Sequence, residues 1–436
     1  MEENGWHNYY KKRCIKLPEA INKIKSGYRI VVGHAAGEPS ALLEALVADK
    51  NRFKDVEIVH MVCLGKGLYC SQDMEGHFRH NALFVSNITR DAVNNGRGDF
   101  TPCFFSEIPK LFSEGYLPVD IALIQVSPPD KHGSVSLGVS VDYTKSAARN
   151  AKTVIAQVNE YMPRTLGDSF LNVKDIDYFV ENPAPLIELG IKHISDTEKA
   201  IGSYCAELIE DRSTIQLGIG LIPDAVCESL VNKRHLGIHS EMVSDGIIDL
   251  IENGTVTNKF KTINNDKSVV SFVIGTKRLY DYIDDNANFY FAPVDYTNNP
   301  YVIMKNFKMV SINSCLQVDL SGQVNSESIG LSQISAVGGQ VDFVRGANMC
   351  PEGKSIIAMT STARNNTCSR IVPFLDAGSA VTTSRNDVDY IVTEFGIASL
   401  KGKTLRGRAK ELVSISHPDF RPMLIEQWEK RFKQKY

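Results

Sequence analysis

The chain has 436 residues, of which 43% are hydrophobic and 23% are charged, and its formal net charge is −3. A chain of this length is too long for one ordinary hydrophobic core, and it predicts two domains of about 150–250 residues each. The small net charge argues against a nucleic-acid-binding protein, because such proteins usually carry a strong basic surplus.

Nine cysteines are scattered along the chain without a CxxC pair, and most lie in apolar runs such as Met61–Leu64. Buried free thiols in a reducing compartment explain this usage better than disulfides do. The N-terminal segment has neither the basic nor the apolar region of a signal peptide, and no stretch approaches the roughly 18 apolar residues that span a bilayer. We therefore expect a cytoplasmic protein that does not bind membranes.

Short runs rich in Val and Ile alternate with segments of helical period from end to end. The predicted strands, in chain order, are Tyr28–Val32, Val56–Val62, Val119–Val126, Thr153–Val158, Ser213–Leu217, Leu236–His239, Val269–Ile274, Met309–Asn313, Ser355–Met359 and Tyr390–Thr393. The predicted helices include Pro39–Asp49, Asp196–Glu210, Pro223–Lys233 and Leu405–Ile415. Continuous apolar strands that alternate with helices predict an α/β fold with largely parallel sheets.

One succession of elements occurs twice, over Tyr28–Leu46 and over Thr214–Leu230. Both copies follow a helix and run through a strand, a glycine turn, a proline at a helix start and an apolar helix. The repetition predicts two related α/β halves joined near Pro183–Ile194, where the proline-rich composition suits a linker. The predicted domains are residues 1–186 and 187–436.

The first candidate for chemistry is the glycine turn Gly218-Ile219-Gly220-Leu221-Ile222, which follows a predicted strand and opens a predicted helix. Backbone N–H groups and the helix dipole at such a turn can receive an anion or an oxyanion. The turn lacks the third glycine of a dinucleotide-binding fingerprint. Taken alone, it is equally well explained as a tight structural turn.

The second candidate is Glu241, just past a predicted strand at the edge where open α/β sheets bind ligands. A metal site with His235 and His239 is disfavoured, because on a strand their spacing separates the two imidazoles by about 13 Å. Glu241 is otherwise either a solvated loop carboxylate or a functional one. Spacing alone does not decide between these two interpretations.

Two further stretches combine turns with polar residues. Gly338 and Gly339 precede a predicted helix, where their backbone amides would be accessible to a ligand. Glu394 directly follows the predicted strand Tyr390–Thr393 and is followed by a turn and a predicted basic helix start. Each stretch, taken alone, is equally consistent with a structural turn and solvated charges.

Together and in this order, the four stretches resemble the acetyl-CoA hydrolase/transferase family, most closely its 4-hydroxybutyrate CoA-transferase branch, which includes butyryl-CoA:acetate transferases. The resemblance covers nearly the whole chain. Further phrases that carry it are Met61–Gly67, Val126–Asp130, Gly275–Tyr280, Val294–Tyr296 and Val381–Asn386. It implies a CoA-transferase/NagB-like fold of two related open α/β domains with largely parallel sheets.

The resemblance also implies a reaction at Glu241. In the family, the corresponding glutamate attacks the acyl-CoA thioester and then carries CoA as a glutamyl-CoA thioester, until an acceptor carboxylate reverses the steps. The implied substrates are a short-chain acyl-CoA and a carboxylate such as acetate, with 4-hydroxybutyrate or butyrate as the partner acid. CoA is then a substrate and a transient covalent adduct, and no metal or tightly bound cofactor is expected.

Supporting residues follow from the same resemblance. The segments that match CoA-binding or oxyanion-supporting parts of the family are Gly218–Ile222, Gly338–Gly339, Asn313 and Leu316, and the glutamate that matches an orienting residue is Glu394. A homodimer is the expected assembly. Three alternatives stay open: an acyl-CoA hydrolase that uses the same glutamate, a noncatalytic acyl-CoA-binding protein, and a metal-dependent hydrolase.

Overall fold

The computed structural model describes residues 5–190 and 193–436, and they fold into two compact α/β units. The first unit contains the described residues up to Gly190 together with Val269–Thr297, and the second contains residues 193–268 and Asn298–Tyr436. The second unit is therefore built from two separate segments of the chain. The predicted domain boundary between residues 186 and 187 stays a prediction. None of the helices in the described residues is both long enough and apolar enough to cross a bilayer.

The first unit is built on a seven-stranded sheet in which neighbouring strands are parallel. Its strands are β1 (Arg29–Val32), β2 (Val56–His60), β3 (Phe78–Ala82), β4 (Gly98–Phe100), β5 (Ile121–Val126), β6 (Thr153–Val158) and β7 (Tyr178–Glu181). Their order across the sheet is β4-β3-β2-β1-β5-β6-β7. Every residue of β5 is buried, as expected for a continuous apolar strand that is covered on both faces.

Helices supply the remaining apolar surface of the first unit. They are Gly5–Arg13, Leu17–Ile21, Ser40–Ala48, Arg90–Asn94, Ile108–Ser113, Thr144–Asn150, Lys277–Ile283 and Val294–Thr297. The helix that follows β1 buries Leu42 and Leu46, which lie one turn apart on the same face. These side chains join Ile30 and Leu123 of the sheet in the core.

The second unit contains a six-stranded sheet. Its strands are β8 (Thr214–Gln216), β9 (Gly237–Ile238), β10 (Met309–Asn313), β11 (Lys354–Ala358), β12 (Tyr390–Thr393) and β13 (Gly396–Ser399). Their order is β9-β8-β10-β11-β12-β13. All neighbours are parallel except β12 and β13, which form an antiparallel hairpin.

Helices and short strands complete the second unit and the remaining parts of the first. The helices of the second unit are Asp196–Leu208, Leu221–Ser229, Gly246–Glu252, Pro300–Ile303, Gln340–Met349, Leu405–Ser414 and Arg421–Phe432. Further short strands of the chain are Ser134–Ser136, Phe170–Asn172, Met242–Val243, Ser268–Val270, Phe272–Val273, Phe289–Phe291, Gln317–Asp319, Val324–Asn325, Ser328–Ile329, Ser332–Gln333, Thr362–Ala363, Cys368–Ser369 and Ile371–Val372. A core that includes Ile357, Ile391, Leu412 and Trp428 joins the sheet to the C-terminal helices.

The predicted α/β fold with largely parallel sheets is confirmed. β6, β10 and β12 have the bounds that the sequence predicts. Val269–Ile274 was predicted as one strand but forms two, which are interrupted at Ser271. After Glu394 the chain first returns as β13, a strand that the sequence pattern does not predict, and the predicted helix then begins at Leu405 as expected.

The repeated succession of elements has the same topology in both units. β1 lies between β2 and β5, and a glycine turn and the helix Ser40–Ala48 follow it. β8 lies between β9 and β10, and a glycine turn and the helix Leu221–Ser229 follow it. In each unit, the next strand of the sheet along the chain, β2 or β9, lies directly beside the strand that precedes the turn. The carboxyl ends of parallel strands meet at one edge, so each unit presents its glycine turn at that edge.

Candidate active site

The carboxyl edge of the second sheet brings several predicted residues into one unit. Asn313 ends β10, and Glu241 and Glu394 follow β9 and β12 closely along the chain. The glycine turn Gly218–Ile222 follows β8, which lies beside β9. This edge is where open α/β sheets bind ligands.

Ser240 fixes the backbone on which Glu241 lies. Its Oγ lies 2.9 Å from the Leu217 carbonyl oxygen and 2.6 Å from that of Met242, and it accepts from the Leu217 N–H at 3.3 Å. Ser240 is buried, so these hydrogen bonds form away from water, where they are strengthened by the low dielectric. They hold Glu241 next to the point where β8 passes into the glycine turn.

The Glu241 carboxylate is held by an amide and lies against a glycine. Asn298, which is fully buried, donates from Nδ2 to Glu241 Oε2 at 2.7 Å. A methyl group at Gly339 would overlap both Glu241 Oε2 and Asn298 Nδ2, so glycine leaves the space that the carboxylate occupies in this position. Gly339 precedes the helix Gln340–Met349, and the positive end of a helix dipole favours a carboxylate or an oxyanion.

The glycine turn after β8 is accessible to solvent. Ile219 is 42% exposed, and Gly220 lies at φ +110° with no atom close to where a Cβ would project. Few residues other than glycine adopt this conformation. Gly220 immediately precedes the helix Leu221–Ser229. On this helix, burial raises the pKa of Asp224.

Asn313 and Leu316 are tied to the same edge by two different networks. The side-chain amides of Asn313 and Gln216 exchange hydrogen bonds at 3.2 and 3.4 Å across β8 and β10. The Leu316 carbonyl accepts from Arg370 Nε at 3.0 Å. Arg370 also donates to Thr360 Oγ1 at 2.8 Å, so it joins the segments that follow β10 and β11.

Glu394 lies at a different part of this edge from Glu241. It accepts from the backbone N–H of Ser361 at 2.8 Å and from Ser361 Oγ at 2.6 Å. Four strand spacings separate β9 from β12, which amounts to about 19 Å between the strand ends. Any influence of Glu394 on Glu241 would therefore be transmitted through intervening residues.

Positions 338 and 339 favour glycine for different reasons. Gly338 lies at φ +53°, in the left-handed region that favours glycine. Gly339 has an ordinary φ of −93° and is required for space rather than for conformation. The structure thus places one half of the predicted Gly338–Gly339 pair beside Glu241 and uses the other to turn the chain.

The histidines near Glu241 have separate surroundings. His235 Nδ1 lies 3.3 Å from Thr257 Oγ1, and its ring packs against Phe260. His239 is fully buried, and its ring packs against Phe343. Neither imidazole belongs to a set of candidate metal ligands with Glu241 in the described residues.

One group of potential metal ligands does occur in residues 5–190 and 193–436, and it lies in the first unit. It consists of Glu38, His60 and Cys63, whose donor atoms lie within 4.8 Å of one another. His60 Nδ1 lies 2.8 Å from Tyr69 Oη. Burial raises the pKa of Glu38 and lowers that of His60, so burial favours the neutral form of both side chains.

Sequence reasoning missed Asn298, the residue that binds the Glu241 carboxylate. It lies in Tyr296-Thr-Asn-Asn-Pro300, where Asn299 caps the helix Pro300–Ile303 through the Tyr301 N–H. An Asn-Asn-Pro sequence signals a turn and a helix start, and that signal explains Asn299. Nothing in the local pattern distinguishes Asn298, because its partner is 57 positions away in the sequence.

The sequence matches two family models along most of its length. Residues 1–188 match the acetyl-CoA hydrolase/transferase N-terminal domain, and residues 275–428 match the acetyl-CoA hydrolase/transferase C-terminal domain. The chain belongs to the acetyl-CoA hydrolase/transferase family. The resemblance inferred from the four stretches is therefore confirmed.

Individual members of this family are similar to the chain over almost all of it. The 4-hydroxybutyrate coenzyme A transferase of Clostridium kluyveri is 60% identical, with 98% of this chain and all of that protein aligned. The butyryl-CoA:acetate CoA-transferase of Anaerostipes caccae is 35% identical over 97% of both chains. The crystal structure of 4-hydroxybutyrate CoA-transferase from Porphyromonas gingivalis is 41% identical and superimposes with a TM-score of 0.85 over 98% of this chain and all of that one.

These similarities establish the chemistry at the level of reaction class. The chain is an enzyme of the CoA-transferase class, for which CoA is a substrate. The related proteins are named for different acids, so these similarities identify the type of reaction and not the acid that this enzyme uses.

Proposed function

We propose that the enzyme transfers CoA between a short-chain acyl-CoA and a carboxylate such as acetate, with 4-hydroxybutyrate or butyrate as the partner acid. Glu241 is the covalent nucleophile in this proposal. The observation that carries it is the Glu241 carboxylate itself, held by Asn298 and placed against Gly339 at the start of a helix. The 60% identical 4-hydroxybutyrate coenzyme A transferase supports 4-hydroxybutyrate as an acid, and the 35% identical butyryl-CoA:acetate CoA-transferase supports butyrate and acetate.

The reaction proceeds in two exchanges at one carboxylate. A Glu241 oxygen attacks the acyl-CoA carbonyl, the C–S bond breaks, and an acyl-glutamyl anhydride and CoA thiolate form. The thiolate then attacks the glutamyl carbonyl, which releases the first acid as a carboxylate and leaves glutamyl-CoA. The acceptor carboxylate attacks this thioester, and the same steps in reverse yield the new acyl-CoA and free Glu241.

A carboxylate suits this role because each intermediate is similarly activated. An anhydride and a thioester are both reactive acyl groups, so covalent catalysis splits the transfer into steps of comparable difficulty. Each attack places negative charge on a carbonyl oxygen, and a backbone N–H aimed at that oxygen contributes about 3–4 kcal/mol. In this proposal, Gly338 and Gly339 supply such amides.

The remaining predicted residues bind or position CoA in this proposal. The exposed turn Gly218–Ile222 binds part of CoA, and the strip that contains Asn313 and Leu316 lines the CoA site. Glu394 acts as a positioning residue through Ser361, which it binds with both carboxylate oxygens. CoA is a transient covalent adduct rather than a resident cofactor, and a homodimer is the proposed assembly.

The proposal is tested by trapping the thioester. The enzyme is incubated with butyryl-CoA or 4-hydroxybutyryl-CoA without acceptor, treated with borohydride to reduce a glutamyl thioester to an alcohol, and digested for mass spectrometry. We expect the modified residue to be Glu241 and turnover to depend on acetate. Glu241→Gln should abolish both the adduct and turnover, whereas Glu228→Gln, at an exposed glutamate of the same unit, should retain both.

Three outcomes would contradict the proposal in different ways. A modified peptide that does not contain Glu241 would exclude this residue as the nucleophile. Rapid release of free CoA without any acceptor acid would identify a hydrolase that uses the same glutamate. Full activity of Glu241→Gln would favour a noncatalytic role for the residue.

A further inference from the structure

β9, the strand that leads to Glu241, is an edge strand, and a loop covers its open side. The loop begins as an additional length of backbone pairing. The Leu236 N–H donates to the Thr255 carbonyl at 2.8 Å, and the Leu236 carbonyl accepts from the Thr257 N–H at 3.0 Å. Edge strands otherwise leave such groups to water or to another chain.

Side chains continue this pairing where the backbone of the loop turns away. Asn258, at φ +58°, accepts from the Ile238 N–H through Oδ1 at 2.8 Å. Lys261 donates from Nζ to the Ile238 carbonyl at 2.7 Å. The amide oxygen and the amine thus replace the carbonyl and N–H of a neighbouring strand, at a residue only three positions before Glu241.

Lys261 is unusual because it is almost completely buried. Its side chain is 2% exposed, and its second bond goes to the Lys267 carbonyl at 2.7 Å. Burial lowers its pKa to about 7. Within the described residues, Nζ donates to two carbonyl oxygens, and no carboxylate there forms an ion pair that would compensate for its burial. A buried amine is destabilising unless its hydrogen bonds are made, so this lysine is tied to these two carbonyls.

Gly237 is sterically matched to Lys261. A Cβ on Gly237 would lie 2.6 Å from Lys261 Cγ and 3.0 Å from Cδ, which is well inside van der Waals contact. Glycine within a strand is otherwise unfavourable. Its presence here makes room for the lysine stem to reach the Ile238 carbonyl.

We propose that Lys261, together with Asn258, is a positioning residue that fixes the end of β9 and thereby the Glu241 carboxylate. This inference rests on the proposed function of Glu241. The lysine acts on the attack step rather than on CoA binding, because its contacts are to backbone groups before Glu241 and to its own loop. A small displacement of a reacting group suffices to slow a reaction strongly.

The test compares Lys261→Met with Lys259→Met, a control at an exposed lysine of the same loop. Methionine keeps an unbranched stem and removes the N–H donors. In single-turnover experiments we expect Lys261→Met to form glutamyl-CoA about 10–100 times more slowly than the native enzyme. The KM for acyl-CoA should change by less than about twofold, and Lys259→Met should match the native enzyme in both measurements.

A second variant separates positioning from folding. Gly237→Ala keeps the lysine but displaces its stem, so it should slow glutamyl-CoA formation in the same way. In a Lys261→Ala background, which lacks the obstructed Cγ, Gly237→Ala should have little further effect. A structural role alone would lower the unfolding midpoint without changing the adduct rate of the folded enzyme.

The proposal is overturned if Lys261→Met forms the adduct at the native rate, or if the loss lies wholly in the KM for acyl-CoA. If Lys261→Met does not fold, a native adduct rate in Gly237→Ala overturns it. Failure of the proposed function looks different, because the native enzyme itself would then form no adduct on Glu241.

Discussion

The two glycine turns that follow β1 and β8 have the same pattern in the sequence and opposite surroundings in the structure. All residues of Gly33–Pro39 are buried, and a Cβ on Gly37 would lie 2.7 Å from Ser140 Cβ. In Gly218–Ile222, Ile219 is exposed and the space beside Gly220 is empty. The pattern specifies a tight turn in both units, and the neighbouring segments decide whether that turn is packed or accessible.

A similar contrast holds between Gly37 of the first turn and Gly339, which precedes the helix Gln340–Met349. The two glycines make room for different side chains. Gly37 admits the methylene of a serine, which contributes packing, whereas Gly339 admits a carboxylate oxygen of Glu241. Loss of the first should lower stability, and loss of the second should lower turnover. Five predictions test this contrast and other differences between the two units, from the largest expected effect to the smallest.

Gly339→Ala should reduce kcat by about 100-fold or more, because its methyl group displaces the Glu241 carboxylate from Asn298. The backbone at Gly339 is compatible with alanine, at φ −93°, so any loss of stability should come from overlap with the Asn298 and Glu241 side chains and not from backbone strain. Steady-state kinetics and thermal unfolding of the same preparation measure both quantities. Native turnover in Gly339→Ala would show that the carboxylate does not react from this position.

Gly37→Ala should lower the free energy of unfolding by about 1–3 kcal/mol, because its methyl group overpacks a buried site against Ser140. Denaturant unfolding of Gly37→Ala and of the native chain measures this difference. The double variant Gly37→Ala with Ser140→Gly should recover part of the loss. If Gly37→Ala instead lost activity at native stability, the first turn would also serve a ligand, and the comparison would fail.

The two units should respond to pH in different windows. Burial lowers the pKa of His80 to about 4, so between pH 6.5 and 4 the unfolded chain binds a proton that the folded chain does not. Stability therefore falls as the pH falls through this window, by up to about 1.4 kcal/mol per pH unit for one proton. This slope should be smaller in His80→Gln.

Lys261 should give the second unit its own pH dependence of the free energy of unfolding. With its folded pKa near 7, the unfolded chain holds the extra proton between pH 7 and 10.5, so stability rises as the pH rises through that window. Lys261→Met should lack this rise. Denaturant unfolding at a series of pH values checks both windows, and equal slopes in native and variant chains would contradict the assignment.

The smallest effect is expected for Ile219→Ala at the exposed turn. The free energy of unfolding should change by less than about 0.5 kcal/mol, as for most surface substitutions. The KM for acyl-CoA should rise several-fold if this side chain contacts CoA. An unchanged KM would show that the Ile219 side chain does not contribute to the binding of acyl-CoA, although the turn is exposed.

Much of the fold is predictable from the sequence because buried parallel strands are continuous apolar runs. β6, β10 and β12 follow this rule. β3 (Phe-Arg-His-Asn-Ala) and β4 (Gly-Asp-Phe) do not follow this rule. Both strands contain polar residues and lie at one side of the sheet, and β4 has only three residues. β3 depends on its pairing with β2, and β4 depends on its pairing with β3; no local pattern records either pairing.

The candidate site was predictable only in part, for a similar reason. Glu241 and the turn Gly218–Ile222 could be found because they follow predictable strands, and Gly338 and Gly339 because they precede a predictable helix. Asn298 and Lys261 act through contacts 57 and 23 positions away in the sequence. Long-range partners of this kind are specified by the packed fold, and a short window of sequence contains no signal for them.

The return of the chain to the first unit between Val269 and Thr297 has a consequence for synthesis. A nascent chain has to reach Thr297 before the first unit has all of its residues, and by then the ribosome has already made residues 193–268 of the second. A truncation at any single position before Thr297 therefore leaves the first unit incomplete. Asn298, the next residue, is the one that binds Glu241, so the amide partner of the carboxylate emerges only after the first unit is complete.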